Sequence, residues 1–211
     1  MKAHTLETQS SLTPYKALQF LKEGNQRFMS NLKVNRNLLE QVNDTKNGQF
    51  PFAIILSCID SRTSAELIFD QGLGDIFSVR IAGNILNDDI IGSMEFACKV
   101  AGSKLVVVLG HSKCGAIKGA CSDVKMGHLT GLLDKIKPSV KQATANKNSM
   151  ETTPEFVEEV AQINVIHSMD EILKRSDVLK TMFDNGEVGF VGGYYDVETG
   201  EVEFLKEILH D

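Results

Sequence analysis

Two short segments hold the residue types that metal chemistry needs. Ser57 to Glu66 reads SCIDSRTSAE, and Gly110 to Ala116 reads GHSKCGA. The first places Cys58, Asp60 and Arg62 at two-residue intervals, and the second is a His-x-x-Cys pair, His111 and Cys114. Two thiolates and one imidazole suit zinc, at about 2.3 Å for sulfur and about 2.0–2.1 Å for nitrogen. Three protein ligands leave a fourth tetrahedral position open, as catalytic zinc sites do. Taken singly the parts are ordinary. A cysteine after a buried strand usually packs as a small apolar residue. A structural zinc site usually closes with four ligands in two local pairs, and this sequence has no CxxC. Asp60 and Arg62 can face one side of an extended or turning backbone. As an exposed ion pair they would be worth little. As a switch, Asp60 would either occupy the fourth zinc position or release it by pairing with Arg62, and then orient zinc-bound hydroxide by accepting its hydrogen bond.

The remaining candidates are weaker. Cys98 and Cys121 fall on expected helices and read as core residues, and His4, His128, His167 and His210 have no neighbours that suggest ligation. Gly83, Gly110 and Gly115 would allow close backbone approach near the site. Gly72 and Gly74 do not have the GxGxxG spacing, and a strand rather than a helix follows them, so phosphate binding is rejected.

The surrounding pattern shows how the two segments could meet. PFAIILSC gives a strand over Phe52 to Leu56, entered by Pro51 and apolar on both faces. Asp75 to Ile81 and Leu105 to Leu109 read as two more strands. Val188 to Tyr195 and Glu201 to Leu205 flank Glu198-Thr199-Gly200 as a hairpin. Helices are expected over Pro14 to Met29 behind a Thr13 cap, Arg36 to Thr45, Ser64 to Phe69, Asp89 to Val100, Cys114 to Val124, Glu155 to Lys174 and Asp177 to Met182. The Arg36 to Thr45 helix has a weak apolar face that would pack on something rather than make a core. The polar stretch Gln142 to Thr153 reads as a surface loop. Strands alternating with helices predict an α/β fold, a mostly parallel sheet covered on both faces. Ligands in such sheets sit at the carboxyl ends of strands where the strand order reverses. A 2-1-3-4 order brings Cys58, His111 and Cys114 into one crevice, whereas 1-2-3-4 puts a strand between them.

The chain has 211 residues, enough for one domain with a sizeable core. Hydrophobic residues at 42% and charged residues at 24% exclude a disordered, collagenous or coiled-coil chain. A net charge of −6 argues against nucleic acid as a partner. No apolar run reaches the roughly 18 residues of a membrane helix, and the N-terminus has no secretory h-region. The expected compartment is the cytoplasm, where the four cysteines would be free, metal-bound or catalytic.

SCIDSR, IFDQGLGDIFSVRIAGN, GSMEFA and VVVLGHSKCGAIKGA together resemble the β-class carbonic anhydrases. The N-terminal ALQFLKEGNQRF and C-terminal GFVGGYYDVETGEVEFL also match that family, so the resemblance spans nearly all of residues 1–211 as a single domain. It implies reversible hydration of carbon dioxide to bicarbonate and a proton. It implies Zn2+ held by Cys58, His111 and Cys114, with water or Asp60 as fourth ligand and an Asp60–Arg62 dyad opening the site. It implies a 2-1-3-4 sheet with an added antiparallel strand, and a helical arm over about residues 1–48 that packs across a partner subunit in a homodimer or homotetramer. The substrate pocket of the plant-like branch implies Gln49 and Phe77, with Phe96 replacing a tyrosine. The branch with an allosteric bicarbonate site uses a tryptophan. This chain has none, so the resemblance favours the branch without that site.

Carbon dioxide is apolar, and Phe77, Ala82 and Gly115 would hold it beside the hydroxide that zinc generates. Two thiolates cancel the metal charge that three imidazoles leave in place, so the bound water should ionise above the ~7 of a three-His site. Two other readings compete: hydrolysis of carbon disulfide or carbonyl sulfide on the same fold, and a structural zinc site in a non-catalytic protein. The second does not need Asp60 and Arg62.

Overall fold

Five strands form one sheet: β1 (Ala53–Ser57), β2 (Ile76–Arg80), β3 (Leu105–His111), β4 (Gly189–Tyr195) and β5 (Val202–Ile208), in the order β2-β1-β3-β4-β5. The computed structural model describes residues 3–147 and 152–210. The first four strands run parallel and β5 pairs antiparallel with β4. The 2-1-3-4 order expected from sequence is therefore present, and 1-2-3-4 is excluded. β1, β3 and β4 are buried along their whole length, which is why they read as unbroken apolar runs rather than alternating ones. In the β1–β3 register Ser57 faces Leu109, so the two chains leave the sheet side by side.

Ten α-helices flank the sheet among the described residues. α1 (Leu6–Ser10) and α2 (Pro14–Met29) precede the first strand, and the Thr13 side chain caps α2 by accepting from the Lys16 amide. Ala17, Leu18 and Leu21 of α2 pack against Phe52, Ile55, Leu105 and Val107 of the same chain. The arm is thus built into its own sheet. Asn25 reinforces this, donating to the Ile68 and Gly200 carbonyls and accepting from the Val202 amide. α3 (Leu38–Thr45) leaves Leu38, Leu39 and Val42 exposed, so the face expected to pack on something is uncovered within this chain.

α4 (Ala65–Ile68), α5 (Asp88–Glu95), α6 (Gly115–Cys121), α7 (Gly127–Asp134), α8 (Lys137–Lys147), α9 (Pro154–Arg175) and α10 (Asp177–Asp184) complete the set. Two expectations are corrected. The helix expected over Asp89 to Val100 is α5 followed by a π-helical turn at Phe96–Val100. The loop expected over Gln142 to Thr153 is partly helix, because α8 runs to Lys147; residues 148–151 lie outside the described residues. Ile136, Val140 and Ala143 recur at helical spacing and pack in the cluster that holds Val157, Val160 and Ala161 of α9. A polar composition concealed that narrow stripe. No helix among the described residues is long and apolar enough to cross a membrane.

A buried ion cluster ties the segment between α2 and α3 to the body. Asp70 accepts from Arg27 Nε, Arg36 Nη1 and the Val34 amide, and Arg36 also donates to the Asp70 carbonyl. Burial pushes the Asp70 carboxyl up, but the two guanidiniums and the amide outweigh it and hold the group below its usual range. A carboxylate depressed in this way contributes stability above about pH 4, its unfolded value, and loses it as pH falls through the lower folded value. Asp70→Asn should therefore cost about 3 kcal/mol at pH 7, because Arg36 is left buried without its counter-ion. Urea unfolding at pH 7 and pH 3 checks this: the gap to wild type should narrow in acid, and an equal gap at both would contradict it.

Candidate metal centre

Cys58 is the first residue beyond β1, and His111 is the last residue of β3. After His111 the chain turns sharply through Lys113, which has φ +56, and returns Cys114 as the N-terminal flank of α6. The turn is held from outside, with the Lys113 amide donating to Glu158 Oε1 at 2.9 Å. Gly110 lets α9 approach the end of β3, since a Cβ there would lie 2.6 Å from Val165 Cγ2. The parallel pairing then brings the three side chains together. Their ligand atoms all lie within 4.8 Å of one another, the one such cluster among the described residues. Cys58, His111 and Cys114 are 4%, 1% and 2% exposed.

The donor set fits a soft divalent ion. His111 Nδ1 donates to the Ser112 carbonyl at 2.8 Å, because a carbonyl can only accept. That places the ring's lone pair on Nε2, which is buried without a hydrogen-bond partner. An unsatisfied buried acceptor costs about 1–3 kcal/mol, and a metal would remove that cost. The Cys114 thiol donates to Cys58 and holds the Cys58 thiol well below its ordinary range. Burial opposes this, and the Gly83 and Asp60 amides add to it. Giving that hydrogen bond, together with burial, pushes Cys114 up. Thiolates bind metals after losing their protons, so a dication held here would release them. Burial pushes the other two thiols up, Cys98 to about 12 and Cys121 to about 11. Cys98 is a core residue as expected, and Cys121 is only half-buried.

Asp60 stands outside the three-ligand cluster and is engaged by Arg62. Nε donates to Oδ1 at 2.9 Å, Nη2 to Oδ2 at 2.7 Å, and the Arg62 amide to Oδ1 at 3.0 Å. The guanidinium beside it holds the Asp60 carboxyl well below the usual carboxylate range. Three further residues support the turn: Arg80 and Thr63 were not found from sequence, and Gly83 was expected only as a place of close backbone approach. Arg80 donates to the Cys58 carbonyl at 3.0 Å and the Asp60 carbonyl at 2.7 Å. The Thr63 hydroxyl lies against the same two carbonyls. The Gly83 amide donates to Cys58 Sγ at 3.3 Å. Parallel register was the available signal for Arg80, since it pairs with Ser57 at the end of β1.

The expected substrate-pocket residues are only partly assembled. Phe77 and Phe96 meet edge to face with centroids 6.3 Å apart, and both line an open hollow of about 550 Å³ with Ile54, Val79 and Gly92. Ala82 and Gly115 are not on its wall, and Gln49 is exposed. Gly83 does make a close approach, a Cβ there lying 2.8 Å from Ile136 Cδ1, whereas Gly115 faces open space.

The family model described as Carbonic anhydrase matches residues 53–202. "Carbonic anhydrase 2" of Mycobacterium tuberculosis is 34% identical over 201 residues, covering 92% of this chain and 94% of the relative. A carbonic anhydrase of Mycolicibacterium smegmatis is 33% identical, covering 92% and 95%. Among solved structures, a tetrameric β-carbonic anhydrase from Sordaria macrospora superposes with a TM-score of 0.70 at 26% identity, covering 90% of this chain and 89% of that one. A β-carbonic anhydrase of Aspergillus fumigatus gives a TM-score of 0.71 at 27% identity, covering 91% and 90%.

Proposed function

This chain belongs to the β-carbonic anhydrase family, and from that premise we propose that it hydrates carbon dioxide reversibly to bicarbonate and a proton with a zinc ion held by Cys58, His111 and Cys114. The observation that carries the reading is the unpartnered His111 Nε2 facing two sulfurs, with an Asp–Arg clamp in the same turn as Cys58. When bound, zinc would acidify a water in the fourth position, less strongly beside two thiolates than in a three-His site, where the value is ~7. Hydration is accordingly expected to rise from neutral into alkaline pH.

The protein residues have separable tasks. His111 is fixed in one tautomer by the Ser112 carbonyl, and Cys58 is oriented by the Gly83 amide. Asp60 remains a carboxylate. Its Oδ1 already accepts two hydrogen bonds and its Oδ2 one, so Oδ2 keeps a lone pair for the attacking water. Arg62 keeps that carboxylate off the metal position. In this reading the Phe77–Phe96 pair supplies the apolar surface that carbon dioxide needs, and Gln49, Ala82 and Gly115, which lie off that hollow within one chain, complete the pocket from outside it.

A second copy of the chain would close the hollow over Phe77 and Phe96. The uncovered edge of β2, with Phe96 at 52% and Val100 at 72% exposure, supports a homodimer or a homotetramer of dimers. Residues 1–211 act as one domain, and the free cysteines suit the cytoplasm. Stopped-flow hydration with metal analysis of the same sample tests the reading. One zinc per chain and turnover lost on chelation, before the fold is lost, is the expected result. Full turnover in metal-free protein would sink it.

A further inference from the structure

Asn164 sits in the middle of α9 and is 2% exposed. Its Nδ2 donates to the Gly83 carbonyl at 3.0 Å. Its Oδ1 lies 3.2 Å from the hydroxyl of Ser139, at the start of α8. The carbonyl of Gly83 can only accept, so the amide group must face it, and the Ser139 hydroxyl then donates to Oδ1. Both polar ends of this side chain are committed, and one of them reaches the turn that touches Cys58.

That turn needs a hold from outside. Gly83 has φ +67 and Asn84 φ +40, two consecutive left-handed residues inside a three-residue 3-10 turn. An isolated chain disfavours this, above all at a residue with a side chain. The turn nevertheless has to present the Gly83 amide to Cys58 Sγ. Ile136 blocks it from behind, leaving no space for a Cβ at Gly83. Asn164 pulls on the carbonyl of the same residue.

We propose that Asn164, oriented by Ser139, is a positioning residue of the metal centre, holding the Gly83 amide on the sulfur of Cys58. This rests on the zinc reading above. An N–H bond to a ligating sulfur fixes the direction of its lone pair and withdraws charge from it. Outer partners of this kind typically change metal affinity by about 10–100-fold when removed. The path is short: Ser139 to Asn164, Asn164 to Gly83, Gly83 to Cys58.

The test loads the full chain with cobalt(II) and reads the sulfur-to-cobalt charge-transfer band and the rate of release to a chelator. Asn164→Ala should release cobalt about 10-fold faster or more, with a displaced band. Asn164→Asp, equal in size but facing the Gly83 carbonyl with an oxygen, should do the same at neutral pH. Ser139→Ala should act in the same direction with a smaller effect. The melting temperature of the metal-free proteins reports packing separately. Asn164→Ala with a lowered melting temperature but a wild-type band and release rate would overturn the proposal. If that variant does not fold, Ser139→Ala decides, and a wild-type release rate there overturns it. A wild-type chain that takes up no cobalt fails the metal reading itself, an outcome distinct from wild-type and variant chains that bind alike.

Discussion

Replacing His111 with alanine should leave the chain without tightly bound zinc and lower carbon dioxide hydration by at least about 10⁴-fold. That is about 5.5 kcal/mol in the barrier. The size follows from what is removed. A water free in solution ionises near 15.7, and one on a catalytic zinc near 7, so nucleophile supply at neutral pH collapses with the metal. His111 is the neutral member of the ligand set, and its buried Nε2 has no hydrogen-bond partner. Cys58 Sγ, by contrast, already accepts from the Gly83 amide. Without the imidazole, two sulfurs remain of the three-ligand cluster. Metal content and hydration should therefore fall together. His111→Ala with one zinc per chain and near wild-type turnover would remove imidazole from the ligand set. His111→Gln, which keeps a polar buried group, should lose metal as well but unfold less readily than the alanine variant.

How far the site could be read from sequence depended on distance along the chain. Cys58, Asp60 and Arg62 share five residues, and His111 and Cys114 share four, so spacing alone nominated them. Joining the two segments took the rule for parallel sheets together with a 2-1-3-4 order, which the unbroken apolar runs of β1 and β3 did not by themselves choose over 1-2-3-4. The supporting shell has no such local signature. Asn164 reaches Gly83 from 81 positions away, and nothing in its own helix distinguishes it from a buried polar residue satisfied by chance. Gly83 was nominated as a place of close approach, but its amide contact to sulfur depends on two left-handed residues that sequence shows only as AGN. α8 was missed for a different reason. Ile136 just before it and Val140 and Ala143 within it carry the apolar stripe, and the polar residues between them dominate the composition. The substrate hollow was the least legible feature. Phe77 and Phe96 find each other, yet the space beside them is open in this chain, and an open space leaves no spacing pattern in the sequence.

Arg62→Ala should separate metal binding from turnover. Zinc content should stay near one per chain while hydration falls by roughly 100-fold, a loss comparable to that of a positioned acid–base group. Arg62 grips Asp60 through two parallel N–H bonds, a fork that fixes the carboxylate plane as well as its charge. The grip is at the surface, since the Arg62 side chain is 48% exposed, so its removal should change stability little. What changes is where Asp60 points. With the fork gone, a carboxylate two residues from Cys58 would turn to the strongest positive charge within reach, the metal, and displace the water. Arg62→Lys should recover only part of the activity, because an ammonium restores the charge without the planar fork. Asp60→Asn gives the opposite control: it cannot close the site as an anion, so it should remain open to anionic inhibitors yet lose the Oδ2 acceptor. Cobalt spectra read the difference directly. Arg62→Ala should show a coordination sphere insensitive to added azide, and Asp60→Asn one that responds. An Arg62→Ala chain with full hydration, or with an azide-responsive metal, would reduce the clamp to a surface ion pair.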